Sequence, residues 1–141
     1  MADAQTPEHG DVALVLELRL LPQPVAASQV RSAIRSALAD FDPLVVENLL
    51  MVASELVSNS VMHAALAPDD RIIVRLWANS RLRLEVEDRG RGFARAAAEP
   101  FERAGEPGGR GLSIVAALSE RWDREEDQTV RVWAELPIRI A

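Results

Sequence analysis

Residues 55 to 64 read E-L-V-S-N-S-V-M-H-A, and the fold turns on how they are read. Glu55, Asn59 and His63 recur every four residues. At about 3.6 residues per helical turn, that spacing stacks a carboxylate, an amide and an imidazole on one helix face. Val52, Leu56, Val57 and Val61 fall on the other faces and carry enough apolar surface to bury the helix. A polar row on a buried helix is costly unless it meets a polar ligand or partners. On its own the segment leaves two readings open, a solvated stripe or a ligand-facing row.

A second feature bears on the choice. Six of the seven glycines, Gly90, Gly92, Gly105, Gly108, Gly109 and Gly111, fall within 22 residues. The window opens with Asp88-Arg-Gly-Arg-Gly and closes with Gly108-Gly-Arg-Gly-Leu112. Glycine is used where backbone takes positive φ or approaches something closely. Two such clusters flanking a loop read either as ordinary turns or as backbone wrapped around a ligand, for which phosphate is the usual guest.

Working outward, 141 residues fit one domain with a normal core. There is no Cys, so disulfides and thiolate metal sites are excluded. All 16 basic residues are Arg, which removes the P-loop lysine and any Schiff-base chemistry. The net charge of −6 argues against DNA or RNA as a direct partner. No uninterrupted apolar run reaches the ~18 residues of a membrane span, and the first ten residues lack the pattern of a signal peptide. The expectation is a cytoplasmic domain over residues 11–141 behind a disordered tail at 1–10, where His9 has no role.

Val12 to Leu20 alternates, with Val12, Leu14, Leu16, Leu18 and Leu20 on one side and Glu17 and Arg19 on the other, a half-buried strand. Ala27, Val30, Ile34, Ala37 and Leu38 form the stripe of a first helix, with Arg31 and Arg35 facing out. Asp42-Pro43 is an N-cap followed by proline at the first helical position, and the key helix runs from there to about Ala65. Arg71–Trp77 and Arg81–Glu87 form a hairpin. Leu82, Leu84 and Val86 point one way and Arg81, Arg83, Glu85 and Glu87 the other, so one face is wet. Residues 93–106 read as a lid. A short helix begins at Gly111, and Arg121–Arg124 and Thr129–Leu136 close the chain, with Trp122 and Trp133 read as cross-strand packing. The order β-α-α-β-β-lid-α-β-β predicts an α+β fold, a two-layer sandwich with a mostly antiparallel sheet and helices on one face.

The helix row and both glycine clusters resemble the N box and the two G boxes of the GHKL superfamily, the Bergerat-fold ATP binders. The small size resembles the anti-sigma-factor serine kinases, and the resemblance covers roughly residues 22–137. It implies ATP and Mg²⁺ as cofactors. It also implies Glu55 as general base, Asn59 as Mg²⁺ ligand and Asp88 as acceptor for the adenine amino group. Gly90 and Gly92 would turn the chain under the base. Gly109, Arg110, Gly111 and Leu112 would meet the phosphates at a helix start, and His63 would contact lid or nucleotide. The implied activity is transfer of phosphate to a serine of a small antagonist protein, with sequestration of a sigma factor and homodimer formation left open. A non-catalytic ATP-sensing module and a stand-alone ATPase are the competing readings. The short lid and the lack of a preceding phospho-acceptor helix argue against self-phosphorylation on His.

Overall fold

The strands alternate apart from one bulge, but the two sides differ in kind, and that difference builds the layers. The computed structural model describes residues 13–90 and 112–139, without the His63 side chain. In chain order the elements are β1 (Ala13–Leu20), α1 (Ala26–Ala37), α2 (Pro43–His63), β2 (Ile72–Ala78), β3 (Arg81–Asp88), α3 (Leu112–Leu118), β4 (Arg121–Glu126) and β5 (Val130–Pro137). The strands form one five-stranded sheet in the order β1-β2-β3-β5-β4, and every neighbouring pair is antiparallel. The helices lie on one side, giving the expected α+β two-layer sandwich.

The core forms where Val74 and Leu76 of β2, Leu82, Leu84 and Val86 of β3, and Val132, Ala134 and Leu136 of β5 meet the helices. From α1 come Val30 and Ile34, joined by Leu38 just past its end; from α2 come Leu49, Val52, Leu56 and Val57. The α1 stripe starts one residue earlier than the periodicity suggests: Ala26 is buried and Ala37 is exposed.

Helix α2 starts where expected. The Asp42 carboxylate accepts from the Leu44 N–H at 3.0 Å, with Pro43 opening the helix. Its stretch Pro43–Met62 has a mean hydropathy of 1.3 and is long and apolar enough to cross a membrane by composition. Its packing against α1, α3, β3 and β5 explains that composition as the central helix of the core.

Three expectations are corrected. The alternation of β1 breaks at Val15: Leu14 pairs with Trp77 while Leu16 pairs with Leu76. This bulge sends Leu14 to the outer face, where it is exposed, and turns Val15 toward the core. The outer face is also less wet than its charges suggest, because Glu85 is only 1% exposed under its neighbours. Trp122 and Trp133 sit on opposite faces. Trp122 pairs with Ala134 on the helix side, whereas Trp133 pairs with Glu85 and Asp123 outside, under the Arg83 guanidinium 4.2 Å from its ring centre. They do not pack on each other.

The expected tail at 1–10 and lid at 93–106 lie outside the described residues.

Candidate functional site

Strand β3 ends in an exception to its own pattern. Leu82, Leu84 and Val86 face the helices, and the next residue with that parity is Asp88, where the core would otherwise take a fourth hydrophobe. Asp88 is 4% exposed. It meets the last turns of α2, the start of α3 and the start of β5. Together Leu56, Asn59, Ser60, Val86, Asp88, Leu112, Val130 and Val132 line a narrow pocket of about 10 Å³, room for about one water molecule.

The polar atoms of this pocket are unevenly satisfied. The Ser60 hydroxyl donates to Asp88 Oδ2. Asp88 Oδ1 and Asn59 Nδ2 are buried with no hydrogen-bond partner among the described residues. Buried polar groups are nearly always paired, because an orphan costs about 1–3 kcal/mol. Two orphans in one pocket, one acceptor and one donor, point to a polar ligand. Burial pushes the Asp88 carboxyl up to about 6 against the pull of the Ser60 hydrogen bond, and the Glu87 and Asp70 charges add to the rise.

Gly90 closes the rim. Its φ is +62°, and a Cβ there would lie 2.5 Å from Val130 Cγ2 and 2.7 Å from Asp88 Oδ1. Glycine is required both for the backbone angle and for the space.

The structure therefore brings Asn59, Asp88, Gly90 and Leu112 together. Glu55 lies one turn before Asn59 on α2, half-buried and outside the pocket lining. His63 ends α2. The His63 side chain, Gly92, Gly109, Arg110 and Gly111 lie outside the described residues. Ser60 is the residue that sequence reasoning missed. Its signal was a hydroxyl one turn beyond the core positions Leu56 and Val57, where the stripe calls for a hydrophobe.

The donor set also bears on a metal. Among the described residues no cluster of three or more His, Asp or Glu could cage an ion. The buried Asn59 amide offers a single hard oxygen. Mg²⁺ is commonly held by one or two protein groups, with phosphates and water supplying the rest. Asn59 fits an ion shared with a phosphate chain and does not fit a closed protein cage.

The model of the histidine kinase-like ATPase domain matches residues 20–134. The chain belongs to this family. Membership makes it an ATP-binding, kinase-like module. Several solved structures share the fold, two of them as follows. One is the RsbU and RsbW domains of Rv1364c from Mycobacterium tuberculosis, at 21% identity and TM-score 0.64, covering 89% of this chain and 33% of that one. The other is the histidine kinase domain of a blue-light activated histidine kinase from Erythrobacter litoralis, at 19% identity and TM-score 0.51, covering 82% of this chain and 60% of that one. This chain thus spans about a third of the first structure and three fifths of the second. No curated protein matches it.

Proposed function

We propose that the chain is a regulatory serine/threonine protein kinase of the anti-sigma type, a single domain over residues 11–141. It binds Mg-ATP, phosphorylates a serine on a small antagonist protein, and acts in the cytoplasm on a partner-switching circuit that includes a sigma factor. The observation that carries the reading is the pair of buried atoms Asp88 Oδ1 and Asn59 Nδ2, without a partner among the described residues, in one pocket beneath Gly90. The likeness to the RsbW-containing structure supports the choice of kinase type.

In this reading Asp88 Oδ1 accepts the adenine amino hydrogen, and Gly90 and Gly92 pass beneath the base. Asn59 holds Mg²⁺ through its amide oxygen; the ion, when bound, offsets the charge of the triphosphate. Gly109, Arg110, Gly111 and Leu112 receive the phosphates, and His63 contacts the nucleotide side of the helix end. Glu55 takes the proton of the acceptor serine as its oxygen bonds to the γ-phosphorus. The bond from that phosphorus to the bridging oxygen breaks, and ADP leaves with the electron pair.

One observation favours a second reading. Glu55 does not line the pocket, as expected of a module that senses ATP without transferring phosphate. The test is to measure Mg-ATP affinity and phosphate transfer to a cognate antagonist for wild type, Glu55→Ala and Asn59→Ala. The kinase reading expects Glu55→Ala to bind ATP normally and to lose about 10²–10⁴-fold in turnover, the usual contribution of a positioned general base. Asn59→Ala should lower both Mg-ATP binding and transfer. A wild type that binds ATP yet phosphorylates neither antagonist nor water leaves the sensor.

A further inference from the structure

The hydroxyl of Ser60 has no place in the scheme above, yet it donates a buried hydrogen bond to Asp88 Oδ2. A carboxylate at the end of a short side chain has a broad terminal torsion and can present either oxygen, or both, to a ligand. Here three constraints remove that freedom. Ser60 is 4% exposed, comes from a different element 28 residues away, and holds Oδ2 from the α2 side. Oδ1 lies close under Gly90, whose missing Cβ would have fallen 2.7 Å from it. The apolar walls Val86, Leu112, Val130 and Val132 offer no competing polar atom.

Resting on the reading of this pocket as a nucleotide-base site, we propose that Ser60 is a positioning residue that sets base selectivity. By occupying Oδ2 it leaves Oδ1 as a pure acceptor aimed into the pocket. The pocket then takes a purine with an exocyclic amino donor at position 6 and rejects one with a carbonyl there. A 6-oxopurine would set its carbonyl oxygen against Asp88 Oδ1, and such mismatches cost more than a missing contact. A carboxylate free to turn would discriminate less, since it could move an oxygen aside or admit a water.

The experiment compares ATP with inosine triphosphate by calorimetry without Mg²⁺, which isolates the base from the metal, for wild type, Ser60→Ala and Ser60→Thr. Wild type should prefer ATP by about 10–150-fold, the range of one charge-assisted hydrogen bond. Ser60→Ala should lose about tenfold in ATP affinity while inosine triphosphate changes less than about threefold, so that the ratio collapses; Ser60→Thr, which keeps the donor, should restore it. Equal losses for both nucleotides in Ser60→Ala would show a merely structural role, and an unchanged ratio would show that Asp88 needs no positioning; either overturns the proposal. Because the decisive quantity is a ratio within one variant, a Thr that packs badly does not obscure it. A wild type that binds neither nucleotide overturns the nucleotide-site reading itself, a different result from a wild type that binds both equally.

Discussion

At the scale of the residue, Asp88 is a carboxylate that the fold penalises and the proposed ligand needs. Its carboxyl is raised from 3.8 to about 6, first by burial. Between those values the native state holds a proton that the unfolded chain has released. Stability of the free protein should therefore fall as pH rises from about 4 to about 6, and stay lower above that window. At about 1.36 kcal/mol per unit, the penalty of the ionised form is about 3 kcal/mol. Asp88→Asn removes it. In denaturant titrations the stability of Asp88→Asn minus that of wild type should grow with pH across the window, by about 3 kcal/mol in total; parallel curves would show that Asp88 carries no such penalty. The same substitution should weaken ATP and ADP alike by about 10–150-fold, because it acts on the base and not on the phosphates. Gly90→Ala should cost about 1–3 kcal/mol through its positive φ, and more if Val130 cannot give way, which chemical denaturation would read. Asn59, Asp88 and Gly90 were legible from sequence because motif spacing marks them. Ser60 was not, because its meaning depends on a carboxylate 28 residues away that only tertiary packing brings to it.

At the scale of the element, the outer face of the sheet shows what alternation can and cannot reveal. The period of two assigned Arg83, Glu85 and Glu87 to that face correctly. It could not show that they roof one another. Arg75 of β2 reaches Glu17 of β1 at 3.0 Å and, on β3, Glu85 at 3.2 Å and Glu87 at 2.9 Å. One guanidinium thus ties three strands while Glu85 lies buried beneath, its carboxyl pushed up by burial and pulled down by Arg83 and Arg75. Nor could the period foresee the bulge at Val15, since a register shift conserves composition and changes only which side each residue takes. Removing one partner of a buried pair is costly because the remaining charge is left uncompensated. Arg75→Met should destabilise by about 3 kcal/mol. Arg35→Met breaks the exposed pair with Glu47, whose side chains are 57% and 61% accessible, and should cost less than about 1 kcal/mol. Urea midpoints for the two variants test the contrast; similar losses would mean that the outer face is a solvated charge pattern after all.

At the scale of the whole molecule, element order and layering were legible because every segment except β1 keeps one period, and breakers bound the segments, from Asp42-Pro43 to the Asn79-Ser80 turn. The unity of the site was less so, since it depends on α2 lying across β3 and β5 with α3 at its end. That single helix carries Glu55, Asn59 and Ser60, and the pocket is closed by residues from β3, β5 and α3. A ligand seated there bridges both layers and should stabilise the entire domain. A ligand at about 100 times its dissociation constant adds about 2.7 kcal/mol. ATP should therefore raise the melting temperature, and Mg²⁺ should raise it further by improving affinity through Asn59. Stripping the metal with a chelator should remove that second increment and leave the first. Asn59→Ala should show the first increment alone, with or without Mg²⁺, because the base site stays intact while the protein ligand of the metal is gone. Thermal melts of wild type and Asn59→Ala, each with ATP and with or without Mg²⁺, decide the matter. A full metal-dependent increment in Asn59→Ala would take the metal away from Asn59. Loss of both increments would mean that Asn59 supports the base pocket itself, with its Nδ2 serving the nucleotide directly.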